Sequence, residues 1–538
     1  MPDAASDYGV LVALVAVMAI SVWLGTLAHR TVERGSFLKG FFLGNRGLGV
    51  WALALTVTVQ SGGTFLGFPS LVYNYGWIVA LWIASYMVVP ITGFALLGKR
   101  IAQISRRTGT ITVPDLLRER FASPAVGLIS SLIIILFMSF MLVAQFKGGA
   151  LVLQQAWPGE ATIRLPFAED GVDPKYYFAL LLFSLTVIGY TLIGGFLASV
   201  WTDLFQSVLM FFGVAVLAFL AFRMAGGLEH ATRAAIEQTG PEFASGPGYS
   251  PGGTHQFFPV GLALSYFFLW VFTGVGSPAS LVRLMASEDT GSIRRSIIVL
   301  SIYNMCIYLP LIGVAIAARA LMPSLDKPDE MIPRMAILVT EGLPGGSLVS
   351  GLILAAPFGA VMATVSTYLV VIASGLVRDV YQRFLHPHAG ERAIRRVTHG
   401  SMIAIGVIAV AANIKPVDFL QAIVVFSTSG AGAALFAPAM MTAHWRRATA
   451  PGVVAAMLSG SGTVLALFIA GWVGPKAEIG IPGDFAPYFL LGLEPIVWGL
   501  AVSAIVGVVV SLLTQPPPEP LIRKLFDAPA NLPSGARL

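Results

Sequence analysis

Apolar segments of about twenty residues, long enough to cross a lipid bilayer, recur along the whole chain. Short polar or charged stretches separate them. Because backbone groups inside a bilayer must form their hydrogen bonds within the protein, the pattern predicts an all-α polytopic membrane protein with about 13 transmembrane helices. The segments begin near Tyr8, Gly49, Trp77, Ser123, Tyr176, Leu197, Phe257, Ser292, Gly345, Arg396, Val417, Ala450 and Glu494.

The composition agrees with a membrane protein. Of the 538 residues, 56% are hydrophobic and 11% are charged, whereas roughly 25% of the residues in a soluble domain are charged. The formal net charge of +6 does not indicate a nucleic-acid partner, because the basic residues lie in short loops, where they set membrane topology. Cys306 is the only cysteine, which excludes an internal disulfide framework or a cysteine metal cluster.

Basic residues concentrate in alternate loops, as expected of loops that face the cytoplasm. The loops at residues 30–46 and 99–120 are basic, and the loop after the seventh segment, to which we assign Arg283, repeats the bias. The intervening loops, such as 158–175 and 326–330, are mixed or acidic. The alternation places the N-terminus outside and the C-terminus in the cytoplasm. We expect a multi-pass protein of the bacterial inner (plasma) membrane.

Residues 57–67 interrupt the second apolar segment with polar side chains and paired glycines. Such residues destabilise a helix in lipid unless they line a cavity inside the protein. An unwound turn at this position would expose carbonyl and amide groups that can hold a cation or a polar solute. The alternative is that Ser61, Gly62 and Gly63 only allow close packing against a neighbouring helix.

An internal repeat would give this interruption a counterpart. If the first half contains five spans, the second half begins with the segment at residues 257–286, in which residues 273–278 read Thr-Gly-Val-Gly-Ser-Pro. Glycine and proline weaken a helix, so both halves begin with an interrupted span, which points to a binding site at the membrane midplane. The predicted organisation is one transmembrane domain (1–514) with an extra first helix (about 8–28), repeats at about 49–225 and 257–442, extra helices at about 450–472 and 494–514, and a stiff, polar cytoplasmic tail (515–538).

Residues 363–367 read Ala-Thr-Val-Ser-Thr and offer oxygen ligands for a cation. Residues 363, 366 and 367 have the i, i+3, i+4 spacing that places them on one face of a helix. With the carbonyls of Val57 and Gln60 they would form an all-oxygen set, which suits an alkali cation better than a transition metal. The alternative is that the two hydroxyls bond within their own helix or to a neighbouring helix.

Several motifs resemble the sodium:solute symporter family. Residues 194–206, Gly-Gly-Phe-Leu-Ala-Ser-Val-Trp-Thr-Asp-Leu-Phe-Gln, are similar to the family signature, and residues 41–46 and 112–121 add shorter matches. The resemblance implies a LeuT-type 5+5 inverted-repeat fold with about thirteen helices. It places a sodium site on the carbonyls of Val57, Gln60 and Ala363 and the hydroxyls of Ser366 and Thr367.

The resemblance also bears on the number of sodium ions. Some members hold a second ion with hydroxyls two and three positions after the counterpart of Thr367, whereas this chain has Leu369 and Val370 there. This difference favours a single sodium ion. Asp203, whose counterpart helps to hold the second ion, is present in this chain and is either a coupling residue or a structural cap.

Within the family, the chain is most similar to the sodium/pantothenate branch, through residues 143–149, 354–357 and 443–448. It differs at Gly63, where similar transporters have a hydroxyl residue, and at Lys147, where they have an apolar residue. The solute could therefore differ from that of the branch.

Lys147 lies well inside a predicted span, where an ionisable residue is a candidate functional group. If its ammonium faces the cavity, it could hold a solute carboxylate. Alternatively, Lys147 extends toward the outer interface or pairs with an acidic residue. The other candidates for solute binding are Ser61, Gly63, Thr64, Gln145, Trp270, Thr273, Ser277 and Gln421.

These features predict a sodium-coupled secondary active symporter that imports a small organic solute, such as pantothenate or a monocarboxylate, by alternating access. A symporter for proline or a sugar, a proton-coupled carrier and a sensor with a transporter fold stay open as alternatives. No enzyme is expected, because the sequence contains no recognisable set of nucleophile, base and oxyanion donors and no phosphate-binding loop. The expected partners are sodium, as coupling ion and only metal, the solute and the lipid bilayer, with no cofactor and no nucleic acid. A monomer is the expected functional unit.

Overall fold

The computed structural model describes residues 8–32, 37–56, 61–157, 159, 172–248, 258–416, 420–474, 479–480 and 485–527. Regular secondary structure in these residues is helical, apart from one isolated parallel β-bridge. The α-helices are α1 (Gly9–Val32), α2 (Phe37–Leu43), α3 (Val50–Thr56), α4 (Phe68–Tyr75), α5 (Ala80–Thr92), α6 (Lys99–Thr108), α7 (Val113–Phe121), α8 (Pro124–Gln155), α9 (Pro174–Met224), α10 (Leu228–Thr239), α11 (Val260–Gly276), α12 (Pro278–Met285), α13 (Thr290–Leu321), α14 (Met331–Leu338), α15 (Gly346–Ser374), α16 (Glu391–Ala412), α17 (Leu420–His444), α18 (Ala450–Val473), α19 (Pro495–Leu513) and α20 (Glu519–Ile522).

Eleven helical stretches of the described residues are long and apolar enough to cross a membrane. This finding confirms the all-helical, polytopic class. One of the eleven, α9, runs for 51 residues, about twice the length of a single span. The total of thirteen spans and the orientation of the termini stay predictions.

Gly195 divides α9 into two spans. Its backbone has φ 55° and ψ −137°, which interrupts the helical geometry. A side chain is disfavoured at this φ, and a Cβ atom would also lie 2.7 Å from Phe41. The glycine pair in the predicted family signature therefore marks the sharp bend between two consecutive membrane helices.

The second interrupted span is confirmed. α11 ends at Gly276 and α12 begins at Pro278. Ser277 between them has φ −59° and ψ 128°, which is not helical. The predicted glycine and proline signal thus coincides with the break.

The first interrupted span is described in part. α3 ends at Thr56, residues 57–60 lie outside the described residues, and helical structure resumes at Gly62. Residues Gly63–Gly67 form a π-helical turn that leads into α4. The glycines of the predicted unwound stretch are therefore helical, although in a wider turn of the kind that is frequent at functional sites.

The two interrupted spans are joined by a short backbone bridge. The amide of Leu48, just before α3, donates to the carbonyl of Ala286 (3.1 Å), and the amide of Glu288 donates to the carbonyl of Leu48 (2.9 Å). Leu48 and Ser287 form the parallel bridge itself. The start of the first interrupted span therefore lies beside the end of the second one.

The buried centre of the bundle is α15, in which every residue from 353 to 374 is buried. It packs against α9, α8 and α1. In contrast, α1, α16 and α19 expose large apolar side chains, such as those of Trp23, Val407 and Leu512, as expected of helices that contact lipid. A polar group between residues 353 and 374 of α15 is therefore buried inside the bundle.

The described part of the tail, residues 515–527, packs against the face predicted to be cytoplasmic. Leu525 is buried, and its carbonyl accepts a hydrogen bond of 2.5 Å from the guanidinium of Arg107. Asp527 forms an ion pair with Arg446. These contacts anchor a segment for which the sequence predicted only a stiff, polar extension.

Candidate ion and solute site

Ala363, Ser366 and Thr367 lie on one buried face of α15, as the spacing predicts. The hydroxyl of Ser366 donates to the carbonyl of Ala363 over 3.0 Å. Such a bond within the helix is the alternative to cation binding that the sequence leaves open for Ser366. It nevertheless keeps the two oxygen atoms side by side.

Ser199, on α9, completes a hydroxyl cluster with Ser366 and Thr367. Its Oγ atom lies 2.9 Å from Oγ of Ser366 and 3.2 Å from Oγ1 of Thr367. The approach of the two helices is reinforced where the hydroxyl of Tyr190 donates to the carbonyl of Met362 over 3.1 Å. The hydroxyl cluster therefore lies at the junction of α9 and α15, and its member Ser199 belongs to the predicted family signature.

A buried ion pair adjoins the hydroxyl cluster. Nη2 of Arg283 lies 2.5 Å from Oδ2 of Asp203 and 2.6 Å from Oγ1 of Thr367. The side chains of Arg283 and Asp203 are 1% and 3% exposed. Since a buried charge is tolerated when it is paired and hydrogen-bonded, each residue makes the burial of the other possible.

The position of Arg283 corrects the loop assignment made from the charge pattern. Arg283 belongs to α12, five residues after the helix begins at Pro278, and it points into the core. The sequence predicts Lys147 as the one basic residue well inside a span, whereas Arg283 is a second basic residue buried among the membrane helices. Asp203 is joined to the ion site predicted on α15 through Arg283 and through Ser199, whose hydroxyl donates to Oδ2 of Asp203 over 3.4 Å.

The structure thus brings together three of the five predicted sodium ligands. Val57 and Gln60 lie outside the described residues. The donor set on α15 consists of neutral oxygen atoms, which suit a hard alkali cation. Among the described residues, no group of three or more His, Cys, Asp or Glu side chains could hold a metal ion.

Two glutamines surround the π-helical turn of the first interrupted span, and we call Gly62, Gly63, Gly67, Gln145 and Gln421 the glutamine cluster. Oε1 of Gln145 accepts a hydrogen bond of 2.7 Å from the amide of Gly62. A Cβ atom at Gly67 would lie 2.1 Å from Oε1 of Gln421, and one at Gly63 would lie 3.1 Å from it. The glycines therefore make room for the carboxamide of Gln421.

Gln421 is the polar group of the glutamine cluster that most clearly indicates a binding site. Its Oε1 atom is buried and has no hydrogen-bond partner among the described residues. A buried acceptor without a partner is unfavourable. The absence of a side chain at Gly63, noted as a departure from similar transporters, leaves this oxygen directed at the turn.

Ser61 and Thr64 stabilise the same turn. Oγ of Ser61 accepts a hydrogen bond of 3.1 Å from the amide of Gly63. Oγ1 of Thr64 lies 3.3 Å from the hydroxyl of Tyr308 on α13. Both predicted solute candidates therefore have structural hydrogen bonds at the edge of the glutamine cluster.

Lys147 is paired with an acidic residue, one of the alternatives considered for it. Its Nζ atom lies 3.1 Å from Oδ2 of Asp329, and each side chain is 7% exposed. The same Oδ2 atom accepts a hydrogen bond of 3.2 Å from the amide of Leu420, the first residue of α17. Because Gly148 packs close to Leu66 and Leu420, the pair lies beside the glutamine cluster.

The remaining candidates lie on the second interrupted span. Trp270 is buried, and Ser277 is the break itself. The hydroxyl of Thr273 donates to the carbonyl of Leu269 over 2.6 Å, and its methyl group would lie 2.2 Å from a Cβ atom at Gly432. Thr273 therefore serves helix packing in this structure.

Sequence reasoning missed four residues of these clusters. Ser199 is four positions before Asp203 on α9, so helical spacing could have identified it. Arg283 was assigned to a loop because it is close in sequence to other basic residues. Tyr308 and Asp329 carry no local signal, because only the packing of distant segments brings them to the site.

The comparisons with known proteins agree with the family motifs. The sequence profile of the sodium:solute symporter family matches residues 41–460. The sodium/pantothenate symporter of Haemophilus influenzae is 31% identical over 469 residues, which cover 86% of this chain and 90% of that protein. The osmoregulated proline transporter of Bacillus subtilis is 26% identical, with coverage of 89% and 90%.

A solved structure shares the fold. A substrate-bound, outward-open state of a Na+-coupled sialic acid symporter superposes with a TM-score of 0.70 at 19% identity, over 95% of this chain and 99% of that one. This similarity confirms the predicted LeuT-type fold. Together with the membrane spans, the matches establish a multi-pass plasma-membrane protein. Because the family profile covers most of its length, the chain belongs to the sodium:solute symporter family.

Proposed function

We propose that this sodium-coupled symporter imports a small organic carboxylate, such as pantothenate or a short monocarboxylate, together with one sodium ion. The observation that carries the sodium part of the proposal is the buried hydroxyl cluster at the junction of α9 and α15. The similarity to a protein named as a sodium/pantothenate symporter supports a carboxylate as the solute.

The proposed sodium ligands are the carbonyl of Ala363, the hydroxyls of Ser366 and Thr367, and the carbonyls of Val57 and Gln60. Supporting this assignment, Ala363, Ser366 and Thr367 are all buried. A sodium ion shared between α15 and the first interrupted span would join two segments that move relative to one another during alternating access.

Coupling would follow from differential affinity. Sodium promotes solute binding only if it binds the outward-open conformation better than the inward-open one. Holding the first interrupted span against α15 would fix the π-helical turn Gly63–Gly67. The same turn carries the glutamine cluster, so sodium binding would preorganise the solute site.

We assign the solute to the glutamine cluster, with Lys147 beside it. In this proposal the ammonium of Lys147 exchanges Asp329 for the solute carboxylate. The support is that Lys147 is buried and that its neighbour Gly148 packs close to Leu66 and Leu420. Ser61, Thr64, Trp270, Thr273 and Ser277 would line or shape the same cavity.

The transport unit in this proposal is the single domain at residues 1–514. Its repeats lie at about 49–225 and 257–442, with the helices before and after them outside the repeats. The two interrupted spans, one at the start of each repeat, support this division. We further propose that the transporter needs no cofactor besides the coupling sodium ion and that the monomer is the functional unit.

Uptake into proteoliposomes tests the proposed solute class. Labelled pantothenate, short monocarboxylates, proline and sugars are each offered with an inward sodium gradient, with a proton gradient and with potassium in place of sodium. The expected result is uptake of a carboxylate that depends on the sodium gradient. Sodium-driven uptake of proline or a sugar alone would contradict the carboxylate assignment, and uptake driven by protons alone would contradict sodium coupling.

A further inference from the structure

We infer that Arg283 is an internal cation that competes with the transported sodium ion for the hydroxyl of Thr367. This inference rests on the sodium site proposed above. Nη2 of Arg283 lies 2.6 Å from Oγ1 of Thr367. The guanidinium therefore occupies one of the oxygen atoms assigned to sodium.

The two cations exclude one another on electrostatic grounds. A hydroxyl oxygen has two lone pairs, so Thr367 has room for a second bond. A sodium ion on that oxygen would, however, lie within two bond lengths of the guanidinium. Both positive charges would be buried, where their repulsion is screened much less than at the surface. The carboxylate of Asp203, paired with the guanidinium, offsets part of this repulsion. In this inference Arg283 therefore gives up Thr367 and stays paired with Asp203 when sodium binds.

Arg283 and Asp203 could form a second hydrogen-bonding geometry that they do not use in this structure. Nη2 of Arg283 serves both Asp203 and Thr367, while Nε of Arg283 and Oδ1 of Asp203 have no hydrogen-bond partner among the described residues. A guanidinium can bind a carboxylate through two parallel hydrogen bonds. Rotation of Arg283 into such a pair would release Thr367 and satisfy both atoms.

The place of Arg283 in the fold connects this exchange to the interrupted spans. α12 begins after the break at Ser277, and its far end is bridged to Leu48 before α3. Arg283 thus ties the region where the first interrupted span begins and the second one ends to α9 and α15. When sodium leaves, Arg283 would regain Thr367 and oppose the return of the ion.

The test replaces the pair without leaving a buried charge. In Arg283→Gln/Asp203→Asn, the sodium concentration for half-maximal uptake should fall about tenfold, because sodium no longer displaces a charged hydrogen-bond donor. The same shift should appear in the sodium concentration that stabilises the purified protein against heat, a readout that needs no transport. Arg283→Lys keeps the positive charge but lacks the planar guanidinium that serves Asp203 and Thr367 together, so its sodium requirement should lie between those of wild type and the double variant.

A second pair, Arg283→Met/Asp203→Leu, covers the case in which the amide pair folds poorly, since apolar replacements of buried ion pairs are often well tolerated. A folded double variant with an unchanged or higher sodium requirement would overturn the inference. Ser366→Ala/Thr367→Ala is measured alongside. If that variant leaves the sodium requirement unchanged, the proposed sodium site itself is wrong. If Ser366→Ala/Thr367→Ala raises the sodium requirement while Arg283→Gln/Asp203→Asn and Arg283→Met/Asp203→Leu behave as wild type, the sodium site stands and only the inferred competition between Arg283 and sodium is wrong.

Discussion

Two buried ion pairs flank the candidate site, and they differ in how they are built. Asp203 and Arg283 both belong to membrane helices, and Arg283 also bonds to the hydroxyl cluster. Lys147 belongs to a helix, but its partner Asp329 lies in the short 3-10 helix Pro328–Glu330 between α13 and α14. One pair is part of the helical core, whereas the other is closed by a connecting segment.

The difference matches the chemistry of the two residues. Arginine presents several donors in a rigid plane and can serve two acceptors at once, while lysine carries a compact charge on a flexible stem. The arginine pair suits a fixed position beside a cation site. The lysine pair suits exchange of one carboxylate for another. The structure therefore separates the residues proposed to handle sodium from those proposed to handle the solute.

The largest effect should come from breaking the arginine pair on one side. Asp203→Ala leaves Arg283 buried without its carboxylate, which should lower the free energy of unfolding by about 3–5 kcal/mol. The measurement is thermal unfolding of the purified protein in detergent. Glu229→Ala is the control, because Glu229 pairs with Arg233 at the surface with 81% of its side chain exposed, and such pairs contribute about 0–1 kcal/mol. Equal losses for the two variants would remove the special status of the buried pair.

Gly67→Ala tests the packing of the glutamine cluster. A Cβ atom there would lie 2.1 Å from Oε1 of Gln421, so the carboxamide must move, at an expected stability loss of about 1–3 kcal/mol. Solute uptake by Gly67→Ala should also fall, because the carboxamide of Gln421 is displaced. Gly462→Ala on α18 is the matched control, because its Cβ atom would meet nothing within 4 Å. Wild-type uptake and stability in Gly67→Ala would show that the position of Gln421 is unimportant.

Asp329→Asn probes the exchange proposed for Lys147. Removing the competing carboxylate should lower the solute concentration for half-maximal uptake by about tenfold, with little change in the sodium requirement. Lys147→Met should raise the solute concentration for half-maximal uptake of a carboxylate, because the ammonium is lost. Both are measured as uptake against solute concentration at saturating sodium. A shift in the sodium requirement alone would break the proposed separation of the two ion pairs.

Much of the fold was predictable because it depends on local patterns. Hydrophobic segments indicated the spans, glycine and proline at residues 273–278 located the break at Ser277, and helical spacing placed Ser366 and Thr367 on one face. The bend at Gly195 lies within a motif that the sequence already singled out. These signals all concern residues close together in the chain.

The ion pairs were not predictable for the opposite reason. Lys147 and Asp329 are 182 residues apart, and Asp203 and Arg283 are 80 apart. No spacing rule links such residues, since their contact depends on how distant helices pack. The charge pattern even misplaced Arg283, because a basic residue near a loop resembles a topology signal until its burial is known.

The most direct test of the proposed sodium site is the sodium dependence of solute uptake by Ser366→Ala/Thr367→Ala. Two lost oxygen ligands, each comparable with a neutral hydrogen bond of about 1 kcal/mol, should raise the sodium concentration for half-maximal uptake roughly 10- to 30-fold. Ser374→Ala is the control, because Ser374 is a buried residue of the same helix whose hydroxyl donates to the carbonyl of Val371. A sodium requirement in the double variant equal to that of Ser374→Ala would contradict the account.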